Sequence, residues 1–253
     1  MNLTTLFGRM WLFTTLLVVA AAALCVRLGF WQLDRLSQRR AFIARVEHMQ
    51  ALPAARLPSS EDLRSQEYRR AIAAGLYDLE RQVALRNRAY QGQYGYDLLT
   101  PLLIALPDAS GRQVAVLVDR GWIPAAGNEQ PEDWRRYDVM GPVEVHGVIR
   151  AGQQSVGRSG IVEGTSLPAD QGSDFFVFID PELIGQHLPY PLLDFYIQAE
   201  AGEDGDSAPL AMAPHLELNN GPHLGYALQW FGFSGVLILG YPLFVRRREE
   251  RQP

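Results

Sequence analysis

The chain has 253 residues with a formal net charge of −5, 23 basic residues that are all Arg, and one cysteine, Cys25. The absence of Lys excludes Schiff-base chemistry. A single Cys excludes an internal disulfide, a Cys-x-x-Cys redox pair, a thiolate copper site and covalent c-type haem attachment. Residues 51–218 carry 13 Arg against 24 Asp and Glu, a net −11, while the remainder is +6; so acidic a central segment argues against nucleic acid as a partner.

In chain order, Met10–Val26 comes first, seventeen residues without a charge. It spans a bilayer if its helix continues to Trp31 and Arg27 snorkels outward. A cleaved signal peptide is the rival reading, since Arg9 precedes the apolar stretch and Ala20–Ala23 are small. The stretch is long for that role and runs on through Leu28, Gly29, Phe30 and Trp31, which favours a retained anchor. Only nine residues precede it, too few for an organelle transit peptide, so a bacterial plasma membrane is the simpler setting. Cys25 lies within this segment and reads as a packing residue.

The helix is expected to continue to about Gln50, with Leu33, Leu36, Ile43 and Val46 near helical spacing and Arg40 interrupting them. Pro53 and Pro58 stop it. Ser59–Tyr68 is read as a further short helix. From Arg69 the pattern turns to short strands: Arg69–Tyr77, Gln82–Arg88, Tyr96–Ala105, Gln113–Val118, Val143–Arg150, Phe175–Ile179 and Leu192–Ala199. Turn residues separate them at Gly92, Pro107-Asp108, Gly111, Gly141-Pro142 and Gly152. Glu129–Arg136 and Pro181–His187 fit short helices, and Glu200–Asp206 a solvated acidic loop. The expected domain is mainly antiparallel β, a sheet or a small barrel.

Leu224–Val245 is a second uncharged run, of 22 residues, long enough to span unaided. The chain therefore divides into an N-terminal segment and first transmembrane helix (1–31), a helical extension (32–53), a mainly-β domain (54–218), a second transmembrane helix (219–245) and a basic tail (246–253). Arg246, Arg247, Arg248 and Arg251 place the C-terminus in the cytoplasm by the positive-inside rule. Arg27, Arg35, Arg39 and Arg40 after the first helix pull the other way. Two spans put both termini on one side, and the denser C-terminal cluster sets the expectation of a periplasmic domain.

Known catalytic signatures are absent: there is no Gly-x-Ser-x-Gly, His-Glu-x-x-His, Walker loop or Gly-x-Gly-x-x-Gly. His48, His146 and His187 stand alone. Asp119-Arg120-Gly121-Trp122 reads as a folding element rather than a catalytic pair. The opening of the second helix differs. In Asn219-Asn220-Gly221-Pro222-His223, Gly221 or an Asn can cap and Pro222 suits the first turn. His223, Tyr226, Ala227 and Trp230 then share one face. A helix N-terminus disfavours imidazolium, leaving a neutral ring able to bind metal, and Ala227 leaves room for something flat. From these residues alone, a hydrogen-bonded interfacial histidine and an aromatic belt are the better reading, with haem ligation behind. Met212, His215 and His223 would make a copper site of weak specificity.

Four stretches together resemble the surfeit locus protein 1 family of cytochrome c oxidase assembly factors. These are Leu28-Gly29-Phe30-Trp31-Gln32-Leu33-Asp34-Arg35; Gly75-Leu76-Tyr77-Asp78 with Asn87-Arg88, Gly95-Tyr96 and Pro101; Val118-Asp119-Arg120-Gly121-Trp122-Ile123-Pro124; and Asn220 through Trp230. Gly221-Pro222 stand here where many members carry Asn directly before the histidine. The resemblance implies two transmembrane helices around an exported mainly-β domain, no enzymatic activity, and a role in maturing the catalytic subunit of a haem-copper oxidase. It implies that His223 is a haem a ligand; Tyr226 and Trp230 share its helix face by spacing, and Arg27 or Arg35, near the same interface after the first helix, are the candidates to pair with the propionates. A cofactor-free scaffold docking on the oxidase's catalytic subunit is the alternative, and an exported anchored hydrolase a remote third. Other oxidase assembly factors and the lipid bilayer are the expected partners.

Overall fold

The computed structural model describes residues 11–59, 61–105, 113–152, 174–201, 208–211 and 218–250. The chain forms two compact units, one of residues 1–45 with 217–253 and one of residues 46–216.

The first unit is a helical hairpin. Helix α1 covers Leu12–Ala51 as one unbroken helix, about 60 Å long at 1.5 Å per residue. It ends before Pro53, as expected. Helix α3 covers His223–Glu249, so it runs on through Arg246–Arg248 where the sequence suggested a separate tail. Both are long and apolar enough to cross a membrane. Their surfaces support that use. Phe13, Leu16, Leu17, Leu228, Val236 and Leu239 are all more than half exposed, an arrangement costly in water and favourable in hydrocarbon.

The hairpin is held along a narrow seam. Thr15, Ala22, Gly29 and Leu36 are buried at seven-residue intervals on α1, and Ala227 and Ser234 are buried at the same interval on α3. A seven-residue repeat keeps one stripe facing a partner helix, and the small side chains let the backbones approach. Contacts run in antiparallel order. The Tyr241 hydroxyl lies 2.8 Å from that of Thr15; Ser234 Oγ donates to the Ala22 carbonyl at 3.2 Å. The Phe30 and Phe231 rings meet edge to face at 5.4 Å. Gly29 gives the Phe231 ring its place, since a Cβ would sit 2.5 Å from that ring and the ring would have to shift.

The second unit is a closed barrel. Its strands are β1 (Ala55–Leu57), β2 (Arg70–Tyr77), β3 (Val83–Tyr90), β4 (Gln93–Ala105), β5 (Gln113–Pro124), β6 (Pro142–Ala151), β7 (Phe175–Phe176) and β8 (Leu192–Ala199), with the short helix α2 (Pro181–Gly185) before β8. The pairing order β2–β6–β8–β5–β4 closes through Leu76 and Tyr77 against Leu103 and Leu102. All five strands of the ring feed one core, with Ala73, Leu102, Val116, Ile149 and Ile197 among its members. Alternate residues of β5 point out to a second layer, where Leu117 packs with Leu85, Leu99 and Ile184.

Several expectations change. Most pairs are antiparallel, but β1–β2, β3–β7 and β5–β8 are parallel. The stretch 59–68 holds turns in its described residues rather than a helix, and β1 is an added strand. The strand expected over 175–179 shrinks to two residues. Strand β5 extends to Pro124, and a 3-10 helix covers Pro131–Tyr137. Pro107-Asp108, Gly111, Met212, His215 and all of the 200–206 loop beyond residue 201 lie outside the described residues.

Candidate functional site

Two places carry the residues singled out from the sequence, one in each unit. In the barrel, the register of β4 against β5 shifts between Asp97↔Trp122 and Leu99↔Asp119. Arg120 and Gly121 together oppose one residue, which is a β-bulge. Gly121 has φ +117°, and a Cβ there would sit 2.3 Å from the Leu210 carbonyl oxygen. The bulge sends Asp119 and Arg120 into separate buried networks. Arg120 donates from Nη1 to Gln82 Oε1 at 3.0 Å and from Nη2 to the Tyr137 carbonyl, with its guanidinium over the Tyr77 ring. Gln82 in turn accepts from Thr100 and donates to Asp138.

Asp119 accepts the Gly121 N–H at 3.1 Å. Burial, and secondarily the Asp97 carboxylate, push its carboxyl up to about 7, against the pull of the Gly121 N–H, Arg88 and Arg150. Burial also raises Asp97, opposed by Arg88, whose Nε lies 2.8 Å from Asp97 Oδ2. Trp122 is buried, with the Tyr90 ring 5.6 Å away, and its backbone pairs with Leu210 in both directions. Among the described residues, Trp122 Nε1 and Asp97 Oδ1 are buried without a hydrogen-bond partner, while the contacts of Arg120 and the Asp119 carboxylate go to the bulge and its neighbours. These contacts are those of a folding element, the role expected from the sequence.

The hairpin holds the other set. His223 is the first residue of α3, and Tyr226 N–H already bonds back to the Pro222 carbonyl. His223 Nδ1 lies 2.9 Å from Gln32 Oε1 on α1. Its Nε2 has no hydrogen-bond partner among the described residues. Gly221, at φ +63°, sits on that side, and a Cβ there would approach Nε2 to 3.5 Å. That is an ordinary van der Waals contact, so it is the positive φ that favours glycine at this position. Tyr226 is half exposed, and Trp230, partly exposed, stacks edge to face on Phe233. Ala227 is fully buried in the seam. Its small size therefore serves helix packing, not clearance for a flat group.

The arginines are placed unequally. At 100° per residue, Arg27 points about 140° around α1 from Gln32 and Arg35 about 60°. Arg27 is exposed on an open groove of about 500 Å³ with Phe30, Trp31 and Asp34. Arg35 is also exposed, bonded to Gln38, with its guanidinium over the Trp31 ring at 5.6 Å. Arg39, one heptad beyond Gln32, donates from Nε to the Asn219 carbonyl at 3.0 Å, tying α1 to the turn that presents His223. Gln32 and Arg39 were not singled out from the sequence. Their signal was the seven-residue step from Cys25 through Gln32 to Arg39, which marks the face turned toward the second helix. No group of three or more His, Cys, Asp or Glu suited to a metal ion occurs among the described residues.

Two span-capable helices that flank a five-stranded barrel in the sequence, with one imidazole at the start of the second helix, define a membrane-associated α+β protein. The SURF1 family model matches residues 19–235, and the chain belongs to that family. It is similar to a SURF1-like protein of Rickettsia felis, 28% identical over 92% of this chain and 97% of that protein. A SURF1-like protein of Monosiga brevicollis is 26% identical over 87% and 83% of the two chains. Surfeit locus protein 1 of Arabidopsis thaliana is 21% identical over 91% and 76%.

Proposed function

We propose that this protein is an assembly factor for haem-copper cytochrome c oxidase that holds haem a non-covalently at His223 and hands it to the catalytic subunit, with no catalysis of its own. The reading carries both termini in the cytoplasm of a bacterial cell and the barrel in the periplasm. The observation that carries it is the Nε2 of His223, without a hydrogen-bond partner among the described residues, on a ring tethered through its other nitrogen at the start of a span-capable helix. A haem iron needs such a donor, and a hydrophobic cofactor leaving the bilayer passes that level. Tyr226 and Trp230 flank the imidazole on one helix face, and Arg35 offers a guanidinium for a propionate. Haem a would supply the iron that accepts the Nε2 lone pair; the chain's residues bind, shield and release it.

The test is the absorption spectrum of full-length protein purified from haem-a-producing cells. The reading expects a Soret band that weakens or shifts in His223→Ala while the protein stays folded and inserted. The exposed Phe30, Trp31 and Tyr226 favour a second reading, docking on helices of the catalytic subunit without a cofactor. A colourless protein that co-purifies with that subunit would make the scaffold the leading account.

A further inference from the structure

We propose that Gln32 is the positioning residue that decides which nitrogen His223 presents to a ligand. This rests on the reading of His223 as a ligand, and it concerns the ring before any ligand arrives. A neutral imidazole carries one N–H and one lone pair, and its tautomer follows the hydrogen bond made by the other nitrogen. Gln32 Oε1 can only accept. At 2.9 Å from Nδ1 it holds the proton there and leaves the lone pair on Nε2. In water the imidazole proton prefers Nε2, the wrong place for a ligand nitrogen. Gln32 thus reverses the ring's own preference and fixes its orientation, a task that in metal sites falls to the group behind the ligating histidine.

The surroundings agree with this assignment. Nδ1 is taken up by the other helix, and Nε2 lies on the opposite edge of the ring, beside Gly221. Arg39 on the same stripe bonds the Asn219 carbonyl, so the two polar residues of α1 hold the ring and the turn before it. The contact is also a register lock: a slip of α1 by one residue along α3 would break it.

The experiment is nitrogen-15 NMR of ring-labelled histidine in the full-length, haem-free protein in detergent, with His223→Ala assigning the signal. The expected spectrum has Nδ1 protonated and Nε2 with a lone-pair shift. The opposite pattern, as would follow if the Gln32 amide were turned to donate, overturns the proposal. Gln32→Glu can only accept and should keep the Nδ1–H form, whereas Gln32→Leu should move the proton to Nε2 or leave a mixture. Equal tautomers in all three proteins refute it. Far-UV circular dichroism and a monodisperse elution confirm that each variant is folded.

Titration with ferric haem gives the second readout. Gln32→Leu should weaken binding about 10–100-fold, with Gln32→Glu restoring it and lowering the midpoint potential. Unchanged affinity and spectrum in Gln32→Leu overturn the proposal. If wild-type protein binds no haem, the proposed function fails, and the tautomer result still decides the role of Gln32.

Discussion

Asp119 offers a quantitative test of the barrel's polar interior. Its carboxyl is raised from 3.8 to about 7, chiefly by burial and then by Asp97. The folded state then binds more protons than the unfolded state across that interval, so stability falls as pH rises. Three pKa units correspond to about 4 kcal/mol at full ionisation. By linkage, about 2 kcal/mol is already lost at pH 5 and the full amount above pH 8. Asp119→Asn keeps an oxygen for the Gly121 N–H and removes the titration. Its stability relative to wild type should therefore climb by about 2–3 kcal/mol between pH 5 and pH 8.5. For a chain of this size that is about 5–10 °C in melting temperature. The assay is intrinsic-fluorescence melting of both full-length proteins in the same detergent across that range. Any constant cost of the buried amide cancels in the comparison between pH values. A difference in melting temperature that stays flat, or shrinks as pH rises, refutes the reasoning.

Two further outcomes are expected. Trp122→Ala should cost about 3–5 kcal/mol and lower the amount of folded protein; normal accumulation and melting with loss of oxidase would make the bulge a functional contact instead. An alkaline phosphatase fused at Pro107-Asp108 should be active and one fused after Pro253 inactive, and the reverse pattern would invert the proposed orientation.

The helices were legible because absence of charge over a bilayer's width is a local property, readable without partners. Most strands were legible for a similar reason, since alternation and turn residues are written within ten positions. Closure was not: β8 inserts parallel to β5, and nothing in Leu192–Ala199 names Gln113–Pro124 as its neighbour. The bulge was visible only as a suggestive Asp-Arg-Gly-Trp, because a register shift belongs to two strands. At the proposed ligand site His223 stood out by position and chemistry. Gln32 did not, since a glutamine near a membrane surface is unremarkable until its partner 191 residues away is known. Ala227 was read as space for a cofactor because small size alone does not say which neighbour uses it.

The position of β8 also fixes when the barrel can exist at all. It lies between β5 and β6, yet is the last of the ring's strands to leave the ribosome. Until residue 199 emerges, β5 and β6 each carry an unpaired edge, the kind of surface that recruits other chains. Long-range pairing of this sort slows folding and prolongs exposure. Helix α3 begins only 24 residues later, after Ala199. On the proposed topology, the polypeptide is thus committed to its second membrane crossing almost as soon as its barrel can shut. Shortening that interval would set insertion and closure in competition for the same stretch of chain.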